Sequence, residues 1–165
     1  MKKIVALFSL IVSSISCQAQ TEFKDESLTA TFFTSENTKI DFKSILEKHK
    51  GKVIFIDIWA SWCSDCLKAQ PEVENLYQGY SEKVDFITLS CDKTYESWKK
   101  GIEKFDVKGE HYLIPDGMKG IFGKSIKLDW IPRYMIIDKE GKIAVFKAIE
   151  PTDAQIKETI NKLIN

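Results

Sequence analysis

FIDIWASWCSDCLKAQP, residues 55–71, sets two cysteines three positions apart, behind a run that reads as a strand and ahead of one that reads as a helix. Residues 53–60 (VIFIDIWA) are almost continuously apolar, as in a strand covered on both faces of a sheet. The helical pattern that follows continues to about Tyr80, with Pro71 inside it as a kink. Cysteines at i and i+3 of a first helical turn lie on one side, within reach of a low-strain disulfide. The unpaired N–H groups and positive dipole end of the helix favour a thiolate at Cys63. Cys66, one turn in, is the better shielded sulfur and the candidate resolving thiol.

Three other uses of such a pair fit less well. A metal site needs more ligands at suitable spacing, and Cys91, His49 and His111 do not supply them. Covalent haem attachment needs a histidine directly after the second cysteine, where Leu67 stands. A purely structural disulfide across so short a loop gains little chain entropy. Redox exchange remains, with no cofactor implied. Asp57 supports it. Strand alternation sets Asp57 on one face with Val53, Phe55 and Trp59, where its carboxyl is expected to be desolvated, raised in pKa and able to exchange a proton with the inner thiol. The plainer alternative for Asp57 is a structural acid bonded to backbone or water.

Around this core the remaining elements follow from periodicity and caps. Residues 28–34 (LTATFFT) read as a strand, and SENTK turns into a short partner strand. Asp41 caps a helix over FKSILEKHK that Gly51 ends. Residues 84–91 (VDFITLSC) form a second central strand and 95–105 a second helix. Residues 108–116 are extended, and 118–126 hold a short helix before KLDWIP. RYMIID and KIAVFKA make a hairpin at Gly141, and 154–164 is a last amphipathic helix. The sum is an α/β chain, a mixed sheet covered by helices. Cys91, at the end of an apolar strand, reads as a small buried hydrophobe. Trp59, Trp98 and Trp130 read as core, whereas Trp62, beside Cys63, reads as part of an exposed rim.

The first twenty residues, MKKIVALFSLIVSSISCQAQ, have a basic start, an apolar run and a small, polar end. That is secretory-signal architecture, too short for a comfortable membrane span. Residues 1–19 are therefore expected to be a signal peptide cut after Ala19, with 20–27 a short lead-in and 28–165 the folded domain. The alternative cut leaves a lipidated Cys17 and a membrane anchor. Lysine plus arginine equals aspartate plus glutamate, 24 each, so no global field points to nucleic acid.

DIWASWCSDC, followed by Pro71 and much later by WIPRY, resembles the thioredoxin-fold thiol:disulfide oxidoreductases, and the early hairpin, export signal and insertion before WIP resemble the TlpA/ResA branch. The resemblance implies a thioredoxin fold with an N-terminal β-hairpin extension and a helical insertion before a cis-proline. It implies a redox disulfide between Cys63 and Cys66, Cys63 as attacking thiol, and Asp57 as buried proton carrier. It further implies a cis Ile131-Pro132 bond beside the disulfide, leaving the Ile131 backbone free to pair with a substrate strand. Two departures stand out: Thr88 occupies the position where thioredoxins often place a lysine facing the acid, and Ser64-Asp65 separates the cysteines. An anionic Asp65 disfavours the thiolate and argues for a reductant.

The expected function is thus an exported reductase of protein disulfides, a monomer, regenerated by a membrane electron donor because an oxidising compartment would leave it spent. The rivals are a thiol peroxidase of the same fold, for which a threonine is expected where Ala60 stands, a metal carrier using the cysteine pair, and a non-catalytic adaptor.

Overall fold

A computed structural model describes residues 20–165, so the expected signal segment and Cys17 lie outside the described residues. In chain order the elements are α1 (Asp25–Leu28), β1 (Thr31–Thr34), β2 (Lys39–Asp41), α2 (Phe42–Lys48), β3 (Val53–Trp59) and α3 (Ser64–Tyr80). They continue with β4 (Val84–Ser90), α4 (Tyr95–Phe105), β5 (Glu110–Leu113), a 3-10 turn at Gly117–Lys119, α5 (Ile121–Ser125), β6 (Arg133–Ile137), β7 (Ile143–Ala148) and α6 (Ala154–Ile164). Seven strands form one mixed sheet in the order β2-β1-β5-β4-β3-β6-β7.

The apolar run at 53–59 takes a central place because it can be buried on both faces. All seven residues of β3 are buried, with β4 parallel on one side and β6 antiparallel on the other. Ile54, Ile56 and Ile58 join a core with Phe42, Ile45, Trp98 and Phe122, which α2, α4 and α5 cover. Val53 and Phe55 join Val73 and Leu76 of α3 and Ile156 and Ile160 of α6 in a second core. Each fully buried side chain of this size contributes about 1.5–3 kcal/mol relative to exposure. Trp59, expected on the face of Val53 and Phe55, instead belongs to the first core at the strand's last position.

The Asp41 cap forms as the sequence suggests, and Thr94 adds one that the sequence reading did not name. The Asp41 carboxylate accepts from the Ser44 N–H at 2.7 Å, and Thr94 caps α4 through the Ser97 N–H at 3.1 Å. The early hairpin β1–β2 adds to the sheet by pairing β1 with β5, and the helical insertion occupies 117–125. One expectation is corrected. The strand placed at 28–34 begins only at Thr31, and residues Asp25–Leu28 before it form α1. Long-range contacts hold that turn: Ser27 Oγ donates to Ser125 Oγ at 2.6 Å, and Phe23 packs edge-on against Phe42 at 4.8 Å between ring centroids.

Candidate active site

The junction between β3 and α3 carries the cysteine pair. Cys63 is the N-cap of α3, in an extended conformation, and its Sγ accepts from the Cys66 N–H at 3.1 Å. An N-terminal helical N–H otherwise without a partner therefore points at the outer sulfur. Cys63 and Cys66 form a disulfide with 5.3 Å between Cα atoms. Cys66 is the more deeply buried, at 1% exposure against 6% for Cys63.

The turn leading into Cys63 is held from the adjacent strand. Asp92, buried just after β4, accepts from the Ser61 hydroxyl at 2.6 Å, from the Ser61 N–H at 3.0 Å and from the Ser90 hydroxyl at 2.7 Å. Three donors satisfy this buried carboxylate, as burial of a charge requires. Sequence reasoning singled out neither Asp92 nor Ser61. Cys91 lies between Ser90 and Asp92 and is buried as expected; burial, reinforced by Asp92 and Asp116, pushes its thiol up to about 12, so it stays protonated and unreactive.

Asp57 lies in a different environment from Asp92. It is 1% exposed, and among the described residues neither carboxyl oxygen has a hydrogen-bond partner. Burial pushes its pKa up to about 7, with the Gln70 side chain acting in the opposite direction. In register across the sheet, Asp57 pairs with Tyr134 of β6 and Thr88 of β4, and Thr88 with His111 of β5. Thr88 stands where a facing lysine was expected from thioredoxins; its hydroxyl bonds instead to His111 Nδ1 at 2.8 Å. Burial, then the Lys99 charge, hold the His111 imidazole below its usual pKa, so no cation on this row compensates Asp57 near neutral pH. Desolvation, with no such cation to offset it, is why Asp57 is raised rather than lowered.

On the solvent side, the Ile131-Pro132 bond is cis, and the Ile131 carbonyl oxygen lies 3.7 Å from Cys63 Sγ. A cleft of about 310 Å³ opens beside the outer sulfur, lined by Trp62, Cys63, Asp65, Met118, Trp130 and Ile131 among others. Trp62 is exposed, as the rim reading expected. Trp130 is corrected: it is 62% exposed and forms the opposite rim rather than core. Its neighbours in WIP are apolar, but the segment is a non-repetitive loop whose Ile131 and Pro132 are buried while the indole faces out. Arg133, which sequence reasoning passed over, braces this loop from inside. Its Nη2 donates to Asp129 at 2.5 Å and to the Lys127 carbonyl at 3.4 Å, while Lys147 reaches the other Asp129 oxygen at 2.7 Å.

The structure thus brings Cys63, Cys66, Trp62, Ile131 and Pro132 to one end of the sheet, at the turn that follows β3, the strand that carries Asp57. A disulfide with one more accessible sulfur and an open cleft beside it can exchange thiols with an incoming disulfide. Among the described residues, no three histidine, cysteine or acidic side chains converge as a metal would require.

Residues 51–143 match the family model described as Thioredoxin-like. A thiol-disulfide oxidoreductase ResA of Bacillus thuringiensis subsp. konkukian is 30% identical over 99% of this chain and 99% of its own length. Its counterpart from Bacillus cereus is 29% identical over 94% of this chain and 87% of its own. The solved thioredoxin domain of a thiol-disulfide oxidoreductase from Bacteroides vulgatus superposes with a TM-score of 0.72. It covers 90% of this chain and 99% of that one and shares the fold at 22% identity.

Proposed function

The chain belongs to the thioredoxin-like family as a thiol-disulfide oxidoreductase, and we propose that it is exported and there reduces disulfides in other proteins. The observation that carries the reading of the site is the asymmetry of the sulfurs: Cys63 lines the cleft and Cys66 is sealed behind it. In the reducing direction, the Cys63 thiolate attacks one sulfur of a substrate disulfide. The other substrate sulfur leaves as a thiolate and takes a proton from solvent. Cys66 then gives its proton to the Asp57 carboxylate and attacks Cys63 Sγ. The Cys63–Cys66 disulfide forms, the mixed disulfide breaks, and the second substrate sulfur leaves to be protonated in turn. Two electrons pass from the enzyme dithiol to the substrate.

Asp65 supports the reducing direction. This carboxylate, bridged to Lys68 at 3.3 Å on the surface, sits two positions after Cys63 and opposes a thiolate there. The basic, apolar and then small residues of 1–19 support export, with processing after Ala19 or lipidation at Cys17. In that reading, residues from 28 on form the redox domain, and a membrane electron donor restores the dithiol. Trp62, Trp130 and the Ile131 backbone flank an extended substrate segment.

Insulin reduction with a chemical reductant tests the activity and loses turnover in Cys63→Ser, whereas Cys66→Ser accumulates the mixed disulfide. Equilibration with glutathione tests the direction. A reductase lies below about −200 mV, and a potential near about −120 mV, typical of strong oxidants, would overturn this half of the proposal.

A further inference from the structure

We propose that Gln70 is a positioning residue for the proton that Asp57 carries, coupling that carboxyl to solvent through the cleft between α3 and the end of α4. The proposal rests on the reading of Asp57 as proton carrier and adds a route by which the proton leaves.

Gln70 follows Cys66 by four residues and precedes Val73 by three, so all three lie on the face of α3 turned toward the sheet. Cys66 and Val73 are buried there, as that spacing requires. A polar side chain in this position needs a polar partner. Among the described residues, Gln70 Nε2 is buried without an acceptor, while both Asp57 oxygens are buried without a donor. An unmatched donor and an unmatched acceptor therefore occupy one interface between α3 and β3. The effect of Gln70 on Asp57 has the sign of an N–H donated to a carboxylate.

The other end of Gln70 meets solvent. A surface cleft of about 390 Å³ is lined by Leu67, Gln70, Pro71, Glu74, Phe105 and Asp106. Pro71 has no N–H, so the Leu67 carbonyl lacks its helical i+4 donor at this same cleft. Water entering the cleft thus meets a free carbonyl acceptor beside the Gln70 amide. A carboxamide suits the post because it does not titrate. Its N–H can donate to the Asp57 carboxylate, and its oxygen can accept from the carboxylic acid or from water. The other titratable groups on the row of Asp57 are Tyr134 on β6 and, through Thr88 on β4, His111 on β5. Glu74 and Asp106 line the cleft, and the α6 side chains packed on this side, Ile156, Ile160, Leu163 and Ile164, are apolar.

The resolving step, followed by quenched flow on the Cys63 mixed disulfide between pH 5.5 and 9 in steps of about 0.5, tests this. Gln70→Met keeps the volume and removes the amide. Loss of a donor to the carboxylate leaves less Asp57 ionised at a given pH. The step is therefore expected to slow about tenfold near pH 6.5, to recover near pH 9, and to show a correspondingly higher pH midpoint. Gln70→Glu, adding a like charge, is expected to move the midpoint in the same direction. In Asp57→Asn, which flattens the profile, Gln70→Met is expected to change the rate less than about twofold. An unmoved midpoint in Gln70→Met, or equal slowing with and without Asp57, overturns the role of Gln70 while leaving Asp57 in place. A profile that Asp57→Asn does not alter overturns both readings. Titration of the Asp57 carboxyl carbon by NMR in the oxidised protein measures the same midpoint without turnover, and it too should rise in Gln70→Met.

Discussion

Replacing Asp57 by asparagine should make the oxidised protein more stable relative to wild type as pH rises. Burial lifts the Asp57 pKa from 3.8 to about 7, against a smaller opposing effect of the Gln70 side chain. Below pH 3.8 the carboxyl is neutral in both folded and unfolded chains, and the shift costs nothing. Between there and about 7 the unfolded chain loses the proton while the folded one holds it, so stability falls with rising pH. Above about 7 both are ionised and the cost is complete. At about 1.36 kcal/mol per tenfold in the proton equilibrium, that cost approaches about 4 kcal/mol. About 2–3 kcal/mol of it develops between pH 5 and 8. Asparagine does not titrate, and every other ionisable group is common to both proteins. Urea unfolding at fixed temperature, with Cys63–Cys66 intact, should therefore give a stability difference that widens by about 2–3 kcal/mol from pH 5 to pH 8. Whatever constant cost the new amide brings cancels in that comparison. A gap that stays constant within about 0.5 kcal/mol would mean that Asp57 is solvated or paired, and the proton-carrier reading would lose its physical basis.

Three further outcomes follow from neighbouring contacts. Asp92→Ala strands the Ser61 N–H and two hydroxyls, so urea unfolding should show a loss of about 2–4 kcal/mol and insulin reduction should slow as the turn before Cys63 loosens. Arg133→Met removes a buried guanidinium whose Nε and Nη1 have no partners among the described residues. Stability should change by less than about 2 kcal/mol, while release of the Lys127 carbonyl and Asp129 raises KM for a protein substrate more than it lowers kcat. Trp130→Ala, at an exposed indole, should leave the unfolding midpoint nearly unchanged, within about 0.5 kcal/mol, yet weaken mixed-disulfide trapping by a Cys66→Ser bait several-fold.

The parts of this molecule legible from the sequence are those where a local period or cap decides the outcome. The spans of α4 and α6, the continuous burial of β3 and the Asp41 cap all depend on residues within a few positions of one another. The α1 turn was not legible, because four residues do not make a stable helix alone; Ser125 and Phe42, far along the chain, hold it. Trp130 misled for the same reason: in a non-repetitive loop no period assigns a side chain to the core. The site divides along the same line. The cysteine pair announces itself by spacing, but the meaning of Asp92 and Arg133 lies in partners on other segments. Gln70 is intermediate. Its distance from Cys66 and Val73 already sets a polar side chain at the buried phase of α3, and buried polar groups need partners. The only polar residue in β3 is Asp57. The coupling of those two residues was therefore written in local arithmetic on both elements, and only the packing of α3 on β3 was needed to bring them together.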